Sequence, residues 1–267
     1  IINPFKKLEL ERPARVSAID LQFFPESGNL ISGLRSNIAF RAVNASGKGI
    51  EVNGVVLDNN NDTVALFKPH KFGMGSFELT PVIGHSYRAV IQDDRGQQNT
   101  YKLPDILKSG YVLKVKDSTE NLLSLTISHY LQTTTAQGVY LFIHARNIVS
   151  VATQYHLARN KTVVAISRND LPDGISHITL FDSELNPVCE RLYFLPVKNR
   201  LQVDIRSDQR EFGIRRKIAI DINTRNTRSE PLAANVSVAV FKADSLQQQS
   251  ENNIHSYLWL DSDLNGS

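Results

Sequence analysis

The one cysteine of this 267-residue chain, Cys189, is a potential nucleophile. A thiolate attacks once a nearby base or an electropositive, exposed setting lowers its pKa. Cys189 lies in Pro187-Val-Cys-Glu-Arg191, in the middle of an expected strand, where a small buried residue is the simpler role. The thiol is expected to be inert. Asp58, Asn60 and Asp62 have the i, i+2, i+4 oxygen spacing that opens a calcium loop. Such a loop needs glycine at its sixth position and a bidentate glutamate at its twelfth, and Thr63 and Pro69 stand there. The segment is expected to be a turn of Asx residues.

The seven histidines, His70, His85, His129, His144, His156, His177 and His255, form no HExxH or other short ligand spacing. No GxSxG elbow marks a nucleophile. Asp93 and Asp94 precede Arg95-Gly96 and read as turn residues rather than an acid/base pair. No catalytic residue, cofactor site or metal site is assigned; an enzyme whose site is assembled from distant residues is the lesser alternative. Arg206, Arg210, Arg215, Arg216 and Lys217 make the densest basic stretch, but Asp204, Asp208 and Glu211 interrupt it, as in a solvated mixed-charge loop. Tyr257 and Trp259 flank Leu258 near the end of the chain and are the candidate binding residues, as a sugar-stacking platform or docking surface; packing onto a neighbouring module is the alternative.

These residues sit on a chain that reads as strands. Ile175–Leu195 is a complete hairpin signature: Ile178 and Leu180 alternate with polar neighbours, Asp182 to Pro187 supplies turn chemistry, and Leu192 and Phe194 resume the alternation. Ile178, Leu180, Leu192 and Phe194 are expected in the core. Related outlines recur at Asn37–Asp58 and Lys217–Phe241, which points to repeated β modules.

Strands are expected at Ala18–Phe24, Asn37–Val43, Ile50–Leu57, Thr63–Lys68, Gly75–Thr80, His85–Ile91 and Asn99–Leu103. A second set covers Tyr111–Lys116, Leu123–His129, Gly138–Arg146, Ile148–Leu157, Thr162–Ser167, Ile175–Asp182 and Val188–Leu195. Arg200–Arg206, Arg216–Asn223 and Ala233–Phe241 follow, then an apolar patch at Ile254–Leu260 that reads as a short helix or a strand, the helix being preferred. The expected class is all-β, as tandem immunoglobulin-like sandwich modules. The division is a linker or edge strand at 1–17, a sandwich at 18–104, a second at 105–197, and a partial third module with a tail at 198–267.

Hydrophobic content of 41% with 21% charged residues is ordinary for a globular protein, and no apolar run approaches the roughly 20 residues of a membrane-spanning helix. A formal charge of +3 falls well short of the basic footprint of a nucleic-acid binder. A single cysteine excludes a disulfide framework within this sequence. The opening IINPFKKLELERP carries no signal-peptide pattern, so a signal is expected to be absent or already removed, and the start reads as a cut made within a longer protein.

Three motifs carry a resemblance. LQFFPESGNLISGLRSNIAFRAVNASGKGIEVNGVVLD with the later FGMGSFELTPVIGHSYRAVI, LPDGISHITLFDSELNPVCERLYF, and IAIDINTRNTRSEPLAANVSVAV resemble macroglobulin-like domains of large bacterial envelope proteins, distantly akin to α2-macroglobulin. The closing HSYLWLDSDLNG resembles a segment that precedes further envelope domains. The resemblance covers most of the chain from about Ser17. It implies tandem macroglobulin-like sandwiches in an exported protein, periplasmic or associated with the outer membrane of a Gram-negative bacterium. In some relatives a TonB-receptor plug-like domain follows. It implies spacing and interaction rather than catalysis, with other domains of the same polypeptide, envelope proteins, or a glycan or peptide as partners. The Cys-Gly-Glu-Gln thioester of the protease-trapping macroglobulins is missing from this sequence, so covalent trapping does not carry over.

Overall fold

The computed structural model describes residues 19–92, 96–131, 138–157, 161–209, 211, 213–239 and 254–264. The fold is all-β. The first nine strands are β1 (Asp20–Pro25), β2 (Leu30–Ile31), β3 (Ser36–Val43), β4 (Gly54–Leu57), β5 (Thr63–Phe67), β6 (Met74–Leu79), β7 (Arg88–Gln92), β8 (Gln98–Lys102) and β9 (Ile106–Leu107). They form a three-stranded sheet β1-β3-β6, a four-stranded sheet β5-β4-β7-β8, and a short parallel pair β2-β9.

Period-two alternation builds this part. On β3, Ile38, Phe40 and Ala42 are buried while Ala39 and Arg41 face water. Ile38, Phe40 and Phe77 from one sheet share a core with Val56, Phe67 and Ile91 from the other. Phe67 is the hub: its ring centroid lies 4.9 Å from Phe40, 5.6 Å from Phe77 and 6.0 Å from Phe23. Its ring lies so close to Gly54 that a Cβ there would meet it at 2.2 Å, so β4 needs glycine at this position.

Seven strands follow: β10 (Gly110–Asp117), β11 (Leu122–Tyr130), β12 (Gly138–Ala145), β13 (Ile148–His156), β14 (Lys161–Ser167), β15 (Gly174–Phe181) and β16 (Pro187–Leu195). They make sheets β10-β11-β14 and β13-β12-β15-β16. Leu113, Leu125 and Ile127 are fully buried on the first, and Leu141, Ile143, Ile178 and Leu180 on the second. Last come β17 (Gln202–Ser207) and β18 (Ile220–Arg225), a two-stranded antiparallel ribbon. The described residues fall into two compact units, one within Ile1–Phe142, Ala152–Ile166 and Ile178–Arg191, the other within Ile143–Val151, Ser167–His177 and Leu192–Ser267.

Two expectations are corrected. Ile178 and Leu180 are buried as expected, but Leu192 and Phe194 are 46% and 41% exposed. The buried positions of β16 are Cys189 and Leu195, so the inward phase is the odd-numbered one. Leu192, Tyr193, Phe194 and Leu195 are consecutive and apolar, so composition alone does not fix the phase of this edge strand. The strand expected at Ala233–Phe241 does not form over 233–239; only its approach pairs, with Arg225 bridged to Pro231 and the Leu232 amide donating to Thr224 O at 3.0 Å. Residues 240 and 241 lie outside the described residues. The tail is helical from Ile254 to Leu264, with a π-helical turn at Tyr257–Asp261.

One turn occurs four times among the described residues. At Asn44, Asp58, Asp182 and Asn226 the side-chain Oδ1 accepts the backbone amides two and four residues on, at 2.8–3.0 Å. The residue three on, Gly47, Asn61, Leu185 or Ser229, has φ between +63° and +77°. Three of these turns sit in the three recurring segments of the sequence. The side chain satisfies the amides that a five-residue reversal leaves without ladder partners, and so holds a left-handed residue in place even where it is not glycine.

Candidate functional site

Asp58 closes β4, and its carboxylate is almost entirely buried. Oδ1 takes the amides of Asn60 and Asp62, leaving Oδ2 to face His85, whose Nδ1 lies 3.6 Å away. The Arg88 guanidinium donates to Asp58 O at 3.1 Å and to the Asn61 side chain. Arg35 pairs with Glu78 beside it, and Tyr87 Oη accepts the Val82 amide at 3.1 Å. Arg35, Asp58, Glu78, Val82, His85 and Tyr87 line a recess of about 420 Å³. It joins a histidine to a buried carboxylate, the pair used to orient an imidazole for proton transfer. The residues around Asp58 were legible as a turn; His85 is 27 residues away and no local spacing announces it.

A larger groove, about 610 Å³, crosses the outer face of β5-β4-β7-β8. Pairing places Leu66, Val55 and Val90 in one row across three strands. Asn53, Lys68, Gln92 and Gln98 also line the groove, three of them side-chain amides that both donate and accept. An aliphatic strip bordered by such amides suits a ligand with apolar C–H faces and neutral hydroxyl or amide groups.

Cys189 is buried, and its Sγ lies 3.4 Å from Tyr111 O. Burial pushes the thiol up to about 12, against hydrogen bonding from Ser27 and the Leu113 backbone that pulls it down. A thiol so protonated is no nucleophile at neutral pH. The same place holds the loop after β1. Ser27, at φ +69°, donates its hydroxyl to Leu113 O and accepts the Leu113 amide, both at 2.8 Å. Neighbouring Glu26, also buried, lies 3.6 Å from the Arg191 guanidinium. Glu26-Ser-Gly-Asn29 has only turn composition, and nothing in it announces a partner 86 residues on.

Tyr257 is exposed, whereas Trp259 is packed from two sides. The Arg146 guanidinium lies 4.6 Å from its ring centroid, and a Cβ on Gly174, at φ +93°, would meet the indole at 3.2 Å. Arg146 also forks onto the Asp263 carboxylate at 2.9–3.3 Å and donates to Leu258 O. The tail thus holds Trp259 in packing, and of the two aromatics Tyr257 is the one offered to solvent. Elsewhere His144 and His177 stack with centroids 5.1 Å apart and Arg206 pairs with Asp204 at 2.9 Å. Asp93, Asp94 and Arg210 lie outside the described residues. Among the described residues no group of three histidine, cysteine or carboxylate side chains is placed to hold a metal ion, and no helix is long and apolar enough to cross a membrane.

No protein-family model matches the chain, and no curated protein matches its sequence. Among solved structures it is similar to a DUF4785 family protein from Legionella pneumophila, with 15% identity, 69% of this chain and 58% of that one covered, and a TM-score of 0.26. It is also similar to apo beta-glucuronidase 3 of Bacteroides uniformis, with 9% identity, 66% and 25% covered, and a TM-score of 0.24. The chain therefore spans just over half of the first and a quarter of the second, and at such TM-scores neither likeness bears on function.

Proposed function

We propose that this chain is a non-enzymatic run of β-sandwich modules in a larger exported protein of a Gram-negative envelope, where it spaces and presents other domains. The resemblance to macroglobulin-like domains suggests the setting, including association with TonB-dependent uptake. The observation that carries the reading is the contact of Glu26 and Ser27 with Arg191 and Leu113. Here buried polar groups tie the loop after β1 to β10 and β16, as a spacer requires. Cys189 beside it is held as the neutral thiol.

Two measurements test this. An antibody raised against the chain should find it in the envelope fraction of the encoding cells; recovery in the cytosol overturns the setting. Small-angle scattering of residues 1–197 should fit one rigid arrangement that loosens in a Glu26→Ala, Ser27→Ala double variant. Scattering that already needs a flexible ensemble in the wild type overturns the spacer role.

The groove on β5-β4-β7-β8 favours a second reading, a module that binds a glycan or peptide. Calorimetry with cellohexaose, xylohexaose and an uncharged decapeptide, repeated on Asn53→Ala and Gln98→Ala, separates the two: absence of binding to every probe removes it.

A further inference from the structure

Two turns border the recess that holds Asp58. The turn Asp58–Asp62 is pinned by its backbone: Asp58 N donates to Asp62 O at 3.1 Å and Asn61 N to Asp58 O at 3.2 Å. In Val82–His85 the His85 amide donates to Val82 O and the Val82 amide to Tyr87 Oη, both at 3.1 Å. Gly84, at φ +80°, lets that turn close. The carboxylate and the imidazole are therefore positioned before any ligand arrives, with Asp58 Oδ2 3.6 Å from His85 Nδ1. That gap is too long for a direct hydrogen bond.

Asp58 Oδ1 takes two amides, whereas among the described residues no donor comes within hydrogen-bonding distance of Oδ2. The side chain is only 8% exposed. A carboxylate oxygen buried to this extent without a donor is costly, so it calls for a group that completes it. The Arg88 guanidinium does not do so, because it donates to Asp58 O and to the Asn61 side chain.

We propose that the recess binds a neutral sugar unit, one hydroxyl of which bridges Asp58 Oδ2 and His85 Nδ1. A hydroxyl donates its one proton to the carboxylate and offers its lone pairs to an imidazole N–H. An ammonium ion can only donate, and it would enter a site already bordered by the Arg35 and Arg88 guanidinium groups. A metal ion would lack a third ligand among the described residues. Arg35 and Glu78, paired with each other on the same lining, offer donors and acceptors to further hydroxyls, and Val64, Leu79 and Val82 offer C–H surface. The volume of about 420 Å³ lies toward the lower end of the roughly 300–1,000 Å³ of small-ligand sites, as suits a single sugar ring. The recess shares no lining residue with the groove on β5-β4-β7-β8, so the two sites can be tested apart.

An amide ¹H–¹⁵N correlation titration of the full chain tests it, with D-glucose, D-galactose, D-mannose and N-acetyl-D-glucosamine each taken to about 50 mM to cover millimolar affinity. At least one sugar should shift the amides of Asn60, Asp62 and His85. Asp58→Asn keeps an oxygen for both turn amides, as Asn44 and Asn226 do, but puts a donor where Oδ2 stood. It should melt like the wild type and weaken binding at least about tenfold, the loss of one hydrogen bond to a charged group. His85→Ala should weaken it similarly, and carries the test alone if Asp58→Asn melts early. Gln98→Ala, in the groove, should leave it unchanged. No shift with any of the four sugars overturns the proposal, as do shifts confined to other residues or wild-type affinity in His85→Ala. Loss of binding in Gln98→Ala, or tighter binding of methylammonium than of every sugar, overturns it equally.

Discussion

Ser27 and Leu113 form a closed exchange: one hydroxyl gives its proton to the Leu113 carbonyl and takes the Leu113 amide, each at 2.8 Å. β10 is an edge strand, and Leu113 turns both backbone groups away from β11 toward the loop that carries Ser27. A single side chain thus satisfies both backbone groups of one buried residue on the free edge of β10.

Ser27→Ala should therefore cost more than a surface hydroxyl. It leaves one buried N–H and one buried C=O unpaired, about 2–4 kcal/mol in all, read from the urea midpoint at unchanged slope. A loss under 0.5 kcal/mol would mean that water takes over both bonds.

The Asx turn at Asp182 makes a paired prediction. Asp182→Ala removes the oxygen that accepts two backbone amides and should cost about 1–2 kcal/mol, whereas Asp182→Asn should be close to neutral, as Asn44 and Asn226 do the same work. Leu185, at φ +65°, should tolerate asparagine and lose about 1–2 kcal/mol with valine, whose branched Cβ is least suited to the left-handed region. Equal melting of the asparagine and valine variants would remove backbone strain from the explanation.

Cys189 should resist a disulfide reagent such as DTNB at pH 8 in the folded protein and react fully in urea, because burial holds its pKa near 12. Native labelling within minutes would contradict both the burial and the inward phase of β16.

His129 gives the protein an acid-sensitive element. Burial lowers its pKa below the ordinary histidine value, and its buried Nδ1 has no hydrogen-bond partner among the described residues. The unfolded chain then binds more protons than the folded one on the acid side of pH 6.5, so stability falls as pH drops from 7.5 toward 5. His129→Phe should flatten that slope in melting curves; an unchanged slope would assign it to other groups.

The all-β class and most strand positions were legible because half-buried strands alternate with period two and the turns carry Asn, Asp and Gly. What stayed hidden depends on partners far along the chain. The inward positions of β16 include Arg191, a charged residue that patterning assigns to solvent, and Tyr193, whose hydroxyl makes it less apolar than its neighbours. In the fold Arg191 reaches Glu26, and Tyr193 Oη accepts the Arg168 guanidinium at 2.8 Å. Patterning therefore points the more hydrophobic Leu192 and Phe194 at the core. The Asp58–His85 pair escaped in the same way. The recurrence of three segments, by contrast, was visible, and its physical content is the shared Asx turn.

The 86 residues that separate Ser27 from Leu113 also set an order of events during synthesis. Chains grow at about 5–20 residues per second, so the loop emerges roughly 4–17 seconds before the strand it will meet. For that interval its tip stands in water. A serine and a glutamate are at home there, whereas an aliphatic tip would be a sticky end on every nascent chain. The polar composition of the contact lets the first sheet pair wait, solvated, for the second to arrive.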